Sequence, residues 1–137
     1  MLEIKNLTGG YVNIPVLKDV SFEVGDGQLI GLIGLNGAGK STTINEIIGL
    51  LRPYAGEIRI DGLTLATSPS AYRQKIGYIP ETPSLYEELT LREHIETVAM
   101  AYDLDQEAVF ARVTPLLKQF RLEEKLDWFP VHFSKGM

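Results

Sequence analysis

Three glycines, a lysine and a serine fall within eight residues at Gly34-Leu35-Asn36-Gly37-Ala38-Gly39-Lys40-Ser41, a G-x-x-x-x-G-K-S spacing. Glycines at this density let the backbone curl with its N–H groups turned inward. A helix opening at the same place adds unpaired amides and the positive end of its dipole. Such a cradle holds anions. The Lys40 ammonium would sit between the outer phosphates of a nucleoside triphosphate, and the Ser41 hydroxyl would ligate Mg²⁺, a cation that prefers oxygen donors. Thr42 would support the inner phosphate. A dinucleotide fingerprint needs G-x-G-x-x-G, and Gly37-Ala38-Gly39 runs into Lys40 and Ser41 instead, so that reading fails.

A loop of this kind works only between a buried strand and a helix, and the flanking sequence supplies both. Gln28 to Ile33 is almost wholly apolar, as expected for a strand covered on both faces. Ile44, Ile47, Ile48 and Leu51 recur at helical intervals after the loop, with Pro53 and Gly56 marking the exit. Upstream, Val20, Phe22 and Val24 alternate with Ser21 and Glu23 as a half-buried strand does, and Gly25-Asp26-Gly27 turns it. Ile58 and Ile60 alternate in a further strand, and Lys75 to Ile79 reads as another before Pro80. From Thr90 the pattern becomes helical. Thr90 and Glu93 have capping-box spacing, Ile95, Val98, Ala99 and Tyr102 form one stripe, and Val109, Val113, Leu116, Leu117 and Phe120 form a second. Pro115 should bend or split that second helix. The expected fold is therefore α/β: a P-loop core with an antiparallel β lobe over residues 1–89 and a helical insertion over residues 90–137.

Composition narrows the function classes. With 137 residues and 45% hydrophobic content there is room for one domain with a core. The net charge of −5, with no basic cluster, argues against binding to a phosphate backbone, so no nucleic acid partner is expected. Without cysteine, disulfides and thiolate metal sites are excluded. No apolar run approaches the roughly 18 residues of a membrane helix, and Glu3 and Lys5 interrupt the start, which makes a cytosolic location the default. His94 and His132 have no second ligand at metal spacing and no nucleophile beside them, and are read as surface or packing residues. Trp128 and Phe129 are read as sealing a core, with contact to a partner as the alternative.

Four landmarks in order resemble the front part of an ABC transporter ATPase subunit, nearer to exporter-type and Ecs-like subunits than to nutrient importers. Tyr11 stands at the aromatic of the family's A-loop and is followed by Val16-Leu17-Lys18-Asp19-Val20-Ser21-Phe22. Gly34 to Thr42 is the Walker A loop. Ile76-Gly77-Tyr78-Ile79-Pro80-Glu81 is similar to the segment ending in the Q-loop, and Phe133-Ser134-Lys135-Gly136-Met137 falls at the signature. The resemblance implies ATP and Mg²⁺ as ligands, membrane-spanning permease subunits and a second ATPase subunit as partners, and a place on the inner face of the cell membrane. It implies that Tyr11 stacks on adenine, a contact worth about 1 kcal/mol, with a core aromatic near a turn as the lesser reading of the residue alone. It also implies that Ser134 and the Gly136 amide donate to a γ-phosphate held by the opposite subunit, and that Glu81 touches Mg²⁺ directly or through water.

The sequence departs from the family at three of these positions. Glu81 replaces a glutamine, so an acceptor-only carboxylate stands where an amide can also donate. Lys135 and Met137 replace a glycine and a glutamine of the signature. No Walker B strand or catalytic glutamate occurs within the 137 residues, so negligible ATP turnover is expected from this chain alone. The apolar Gln28–Ile33 strand would then have open edges, and self-association is expected from it. Two other readings differ in their observables. A soluble ABC-type regulator of ribosomes or DNA would co-purify with nucleic acid, and an unrelated P-loop kinase or GTPase would show guanine selectivity.

Overall fold

In a computed structural model, residues 1–12, 14–82 and 84–134 are described. Contacts divide the chain into two compact units, Met1–Tyr78 and Ile79–Met137.

The first unit is built on three antiparallel strands, β1 (Leu2–Tyr11), β2 (Ile14–Val24) and β3 (Ala55–Ile60), in the order β2-β1-β3. Alternation in β2 behaves as its sequence requires: Val20, Phe22 and Val24 are half-buried while Ser21 and Glu23 are exposed. The strand ends in a turn at Gly25, where the Gln28 side chain accepts from the Gly25 amide at 2.7 Å. Pairing of β1 with β2 slips between Ile4 and Leu7. Asn6 and Asp19 there take positive φ (50° and 54°), and side chains replace the lost ladder: the Asn6 amide donates to Ser21 Oγ at 2.8 Å, Asn6 Nδ2 to Asp19 Oδ1 at 2.7 Å. Ile4, Leu7, Leu17 and Ile58 form the core with Tyr72. Tyr72 comes from a short helix, α2 (Pro69–Arg73), that the sequence patterns did not foretell.

Between β2 and β3 lies α1 (Lys40–Ile47), which follows the glycine-rich loop. It ends earlier than the apolar stripe suggests. Gly49 takes φ 79°, its amide bonds to Glu46 O at 3.2 Å, and the Leu50 amide bonds to Asn45 O at 2.8 Å, a Schellman closure. The buried face also differs from the expected one. Thr42, Thr43 and Glu46 are buried while Ile44 is exposed, because the helix turns its polar stripe towards the strands: a side chain at Gly39 would meet Leu17, and one at Gly9 would strike the Glu46 carboxylate.

Two expected strands are absent. Gln28 to Ile33 forms no strand, and among the described residues no strand lies beside it; Leu29 and Ile33 are each 98% exposed. A strand is a property of a pair, and apolar composition alone cannot make one. At Lys75 to Ile79 the backbone is diverted by α2: the Lys75 amide bonds to Tyr72 O and the Ile76 amide to Arg73 O, so the first two amides of the stretch close a helix end.

The second unit holds α3 (Leu91–Ala101) and α4 (Gln106–Gln119), followed by short 3₁₀ turns at Glu123–Lys125 and Pro130–His132. The capping box forms as the spacing requires, with Thr90 Oγ1 accepting from the Glu93 amide at 3.3 Å and Glu93 Oε2 from the Thr90 amide at 2.7 Å. These bonds hold the Glu93 carboxyl below its ordinary pKa. The next two amides, of Leu91 and Arg92, donate to Trp128 O and Leu126 O, so the first turn of α3 is fully partnered. Pro115 does not split α4. Its missing N–H removes one bond of the ladder, and the helix continues to Gln119. Of the two stripes only Ala99 and Leu117 are fully buried; Val98, Leu116 and Phe120 are exposed, and so are Trp128 and Phe129, which were expected inside.

Candidate nucleotide site

The phosphate loop takes the shape its glycines permit. Gly37 and Gly39 adopt φ of 84° and 92°, a region that costs a residue with a Cβ about 1–2 kcal/mol. Gly39 has a second constraint, since a Cβ would lie 2.5 Å from Leu17 Cδ2 of β2. Gly39 O accepts from both the Thr43 amide (2.8 Å) and Thr43 Oγ1 (2.9 Å), which fastens the start of α1 to the loop. Lys40 Nζ donates to Gly34 O at 2.7 Å and Leu35 O at 2.9 Å, so the side chain folds back across the loop that precedes it. Among the described residues no carboxylate pairs with this ammonium.

The amides provide the fit test for a polyphosphate. Ala38 N–H is used within the loop, donating to Leu35 O at 3.1 Å. Those of Asn36, Gly37, Gly39, Lys40, Ser41 and Thr42 take no partner among the described residues, and four of these six belong to Gly39 and the first turn of α1. Unpartnered donors at the N-terminal end of a helix, with one ammonium folded over the same loop, match an anion bearing several acceptor oxygens. Ser41 is exposed beside them, available as an oxygen ligand, whereas Thr42 is buried against the sheet. A bound Mg²⁺ would neutralise charge between the outer phosphates.

Tyr11 meets α1 at Asn45, outside the phosphate loop. It ends β1, is 46% exposed, and its hydroxyl accepts from Asn45 Nδ2 of α1 at 3.4 Å. Glu81 and Ser134 lie in the second unit, both exposed. Gly136, with Lys135 and Met137, lies outside the described residues.

Sequence patterns missed the residues under α1. Glu46 is 0% exposed, neither carboxylate oxygen has a hydrogen-bond partner among the described residues, and burial pushes its pKa up. Beside it Tyr72 Oη donates to Ile47 O at 2.8 Å, and burial raises the phenol to about 12. A cleft of about 720 Å³ lined by Glu46, Leu50, Ile58, Tyr72 and Arg73 opens at the C-terminal end of the helix, away from the phosphate loop. The available signal was spacing: Thr42, Thr43 and Glu46 share a helical face, but the isoleucines on the other side carried the apolar pattern.

Residues 17–137 match the sequence profile of the family described as ABC transporter. The chain belongs to the ABC transporter family. It is 60% identical over 137 residues to the ABC-type transporter ATP-binding protein EcsA of Bacillus subtilis (strain 168), covering 100% of this chain and 56% of that protein. It is 33% identical over 136 residues to the Nod factor export ATP-binding protein I of Rhizobium meliloti (strain 1021), covering 99% and 41%. Among solved structures, an ATP-binding subunit of an ABC transporter superposes with a TM-score of 0.93 at 57% identity, over 100% of this chain and 57% of that one. A dimeric ATP-binding cassette in a post-hydrolysis state with ADP and phosphate superposes at 0.78 with 28% identity, over 99% and 64%. The chain thus has the P-loop ABC ATPase fold and spans about half the length of the ABC relatives it matches.

Proposed function

We propose that this chain binds Mg-ATP on residues 34–42 as part of the ATP-binding subunit of an ABC transporter that powers movement of a substrate through membrane-spanning permease subunits. The observation that carries this reading is the set of unpartnered amides of Asn36, Gly37 and Gly39 to Thr42 with the Lys40 ammonium drawn across the same loop. Tyr11 stacks on the base, Lys40 meets the outer phosphates, and Ser41 ligates Mg²⁺ with Glu81 reaching it directly or through water. Ser134 and Gly136 address the ATP of a second subunit in a dimer. Residues 1–89 supply the nucleotide-holding core and residues 90–137 the helical subdomain. The segment from Pro80 to Glu88, with that subdomain, meets the permease at the cytoplasmic face. Among the described residues no helix is long and apolar enough to cross a membrane.

Titration with Mg-ATP should move the amide resonances of residues 34 to 42, and unmoved signals in folded protein overturn the reading. Lys40→Ala removes a charge-assisted bond worth about 1.5–3 kcal/mol, so affinity should fall about 10- to 150-fold. Residues 1–137 by themselves should bind ATP with negligible turnover. Steady hydrolysis that disappears with Lys40→Ala would contradict that.

A further inference from the structure

One imidazole in the second unit is fixed by groups that leave it no choice of proton. The Tyr86 amide lies 3.0 Å from His94 Nε2, and His94 Nδ1 lies 2.8 Å from Thr90 O. A peptide N–H only donates and a carbonyl only accepts, so Nε2 is bare and Nδ1 carries the hydrogen: a single neutral tautomer. The Tyr86 ring rests near the imidazole, with centroids 6.0 Å apart and planes inclined by 33°. The Leu89 amide returns to Tyr86 O at 3.1 Å, closing a turn whose first residue is thereby fastened to α3.

Helix capping does not require this bond, because Thr90, Glu93, Leu126 and Trp128 already partner the first turn of α3. What His94 restrains is the turn. Its outward side is exposed and mixed: Leu85 and Tyr86 are apolar, Glu87 and Glu88 are acidic, and a small cleft is lined by Leu85, Glu87, Pro130 and Val131. Two carboxylates beside exposed apolar groups suit a basic, apolar segment of a partner.

We propose that His94 is a positioning residue: in its Nδ1–H form it holds the Tyr86–Leu89 turn in the shape that receives a basic cytoplasmic segment of the membrane-spanning subunit. This rests on the reading of Pro80 to Glu88 as the permease-facing segment, and the experiment separates the two. In full-length protein with ¹⁵N-labelled histidine, the His94 ring should show a protonated Nδ1 and an unprotonated Nε2. An Nε2–H ring overturns the proposal without any substitution being made. His94→Leu should speed hydrogen exchange of the Tyr86 amide by about threefold to tenfold, the worth of one hydrogen bond. Binding to inverted membrane vesicles, stripped of peripheral proteins and prepared from cells that make the transporter, should weaken by a similar factor. His94→Gln places an amide oxygen where Nε2 stood and should recover both, which bulk or packing alone would not do. If Glu87→Lys/Glu88→Lys weakens vesicle binding while His94→Leu does not, the role of the histidine is refuted. If the charge reversal itself has no effect, the permease-facing reading is refuted instead.

Discussion

Glu46 offers the sharpest test of how the phosphate-binding helix is seated. Its carboxyl lies between α1 and β1 under Gly9, fully buried and without a hydrogen-bond partner among the described residues. Burial raises its pKa above the ordinary 4.5, so the folded protein takes up a proton that the unfolded chain releases. Below pH 4.5 both states are protonated and ionisation adds no cost. As pH rises from there to the folded value, stability falls, and above it the loss is complete. Glu46→Gln is neutral throughout and should abolish that slope, leaving the variant more stable than the parent at pH 8 and similar to it near pH 4. Glu46→Leu removes both unpaired oxygens at comparable volume and should add about 1–3 kcal/mol at pH 8, with a smaller gain at pH 4. Urea unfolding followed by circular dichroism at the two pH values measures each difference. Parent and Glu46→Gln curves that keep a constant offset across pH would show that the carboxyl ionises freely in the fold, and the account of α1 seating on the sheet through Glu46 would fail.

Three further outcomes follow from the geometry. Gly9→Ala drives a methyl into the Glu46 carboxylate and should cost about 1–3 kcal/mol, most of it recovered in a Gly9→Ala/Glu46→Ala double variant; additive losses in the cycle would refute the contact. Thr90→Ala removes the cap of α3 and should cost about 1 kcal/mol in thermal unfolding of the second unit, whereas an unchanged midpoint would mean the capping box is not formed in solution. Arg121 closes α4 at φ 58°, a left-handed position where its Cβ is unwelcome. Arg121→Gly should therefore stabilise by about 0.5–1 kcal/mol, and a loss in denaturant unfolding would count against the assigned closure.

What could be read in advance was whatever a residue decides with its near neighbours. The phosphate loop depends on glycines and a lysine at fixed spacing, and the Thr90 cap on a glutamate three residues on, so both were legible. Gln28 to Ile33 was misread because its apolar run records a demand for neighbouring strands that the described residues do not supply. The burial of α1 was inverted for a different reason: hydrophobic periodicity names an apolar face, but small Thr42 and Thr43 fit the close approach that Gly9 and Gly39 allow. The closure at Arg121 carries no glycine to announce it. The sequence reads His94 as a surface or packing residue, since its acceptor role depends on a backbone amide eight residues earlier that no side-chain pattern reveals.

The middle strand of the sheet leaves the ribosome before both of its neighbours. Tyr11 is followed by 43 residues before Ala55 begins β3, an interval of about 2–9 seconds at 5–20 residues per second of synthesis. Throughout it β1 can zip only to β2, and its other edge, bearing Glu3 and Lys5, stays open to any passing chain. The nascent polypeptide must thus carry the glycine-rich loop, α1 and the bare Leu29–Ile33 run on a two-stranded hairpin, which is marginal in water. Slow codons or chaperone shortage in this window would be felt as aggregation long before nucleotide binding could be measured.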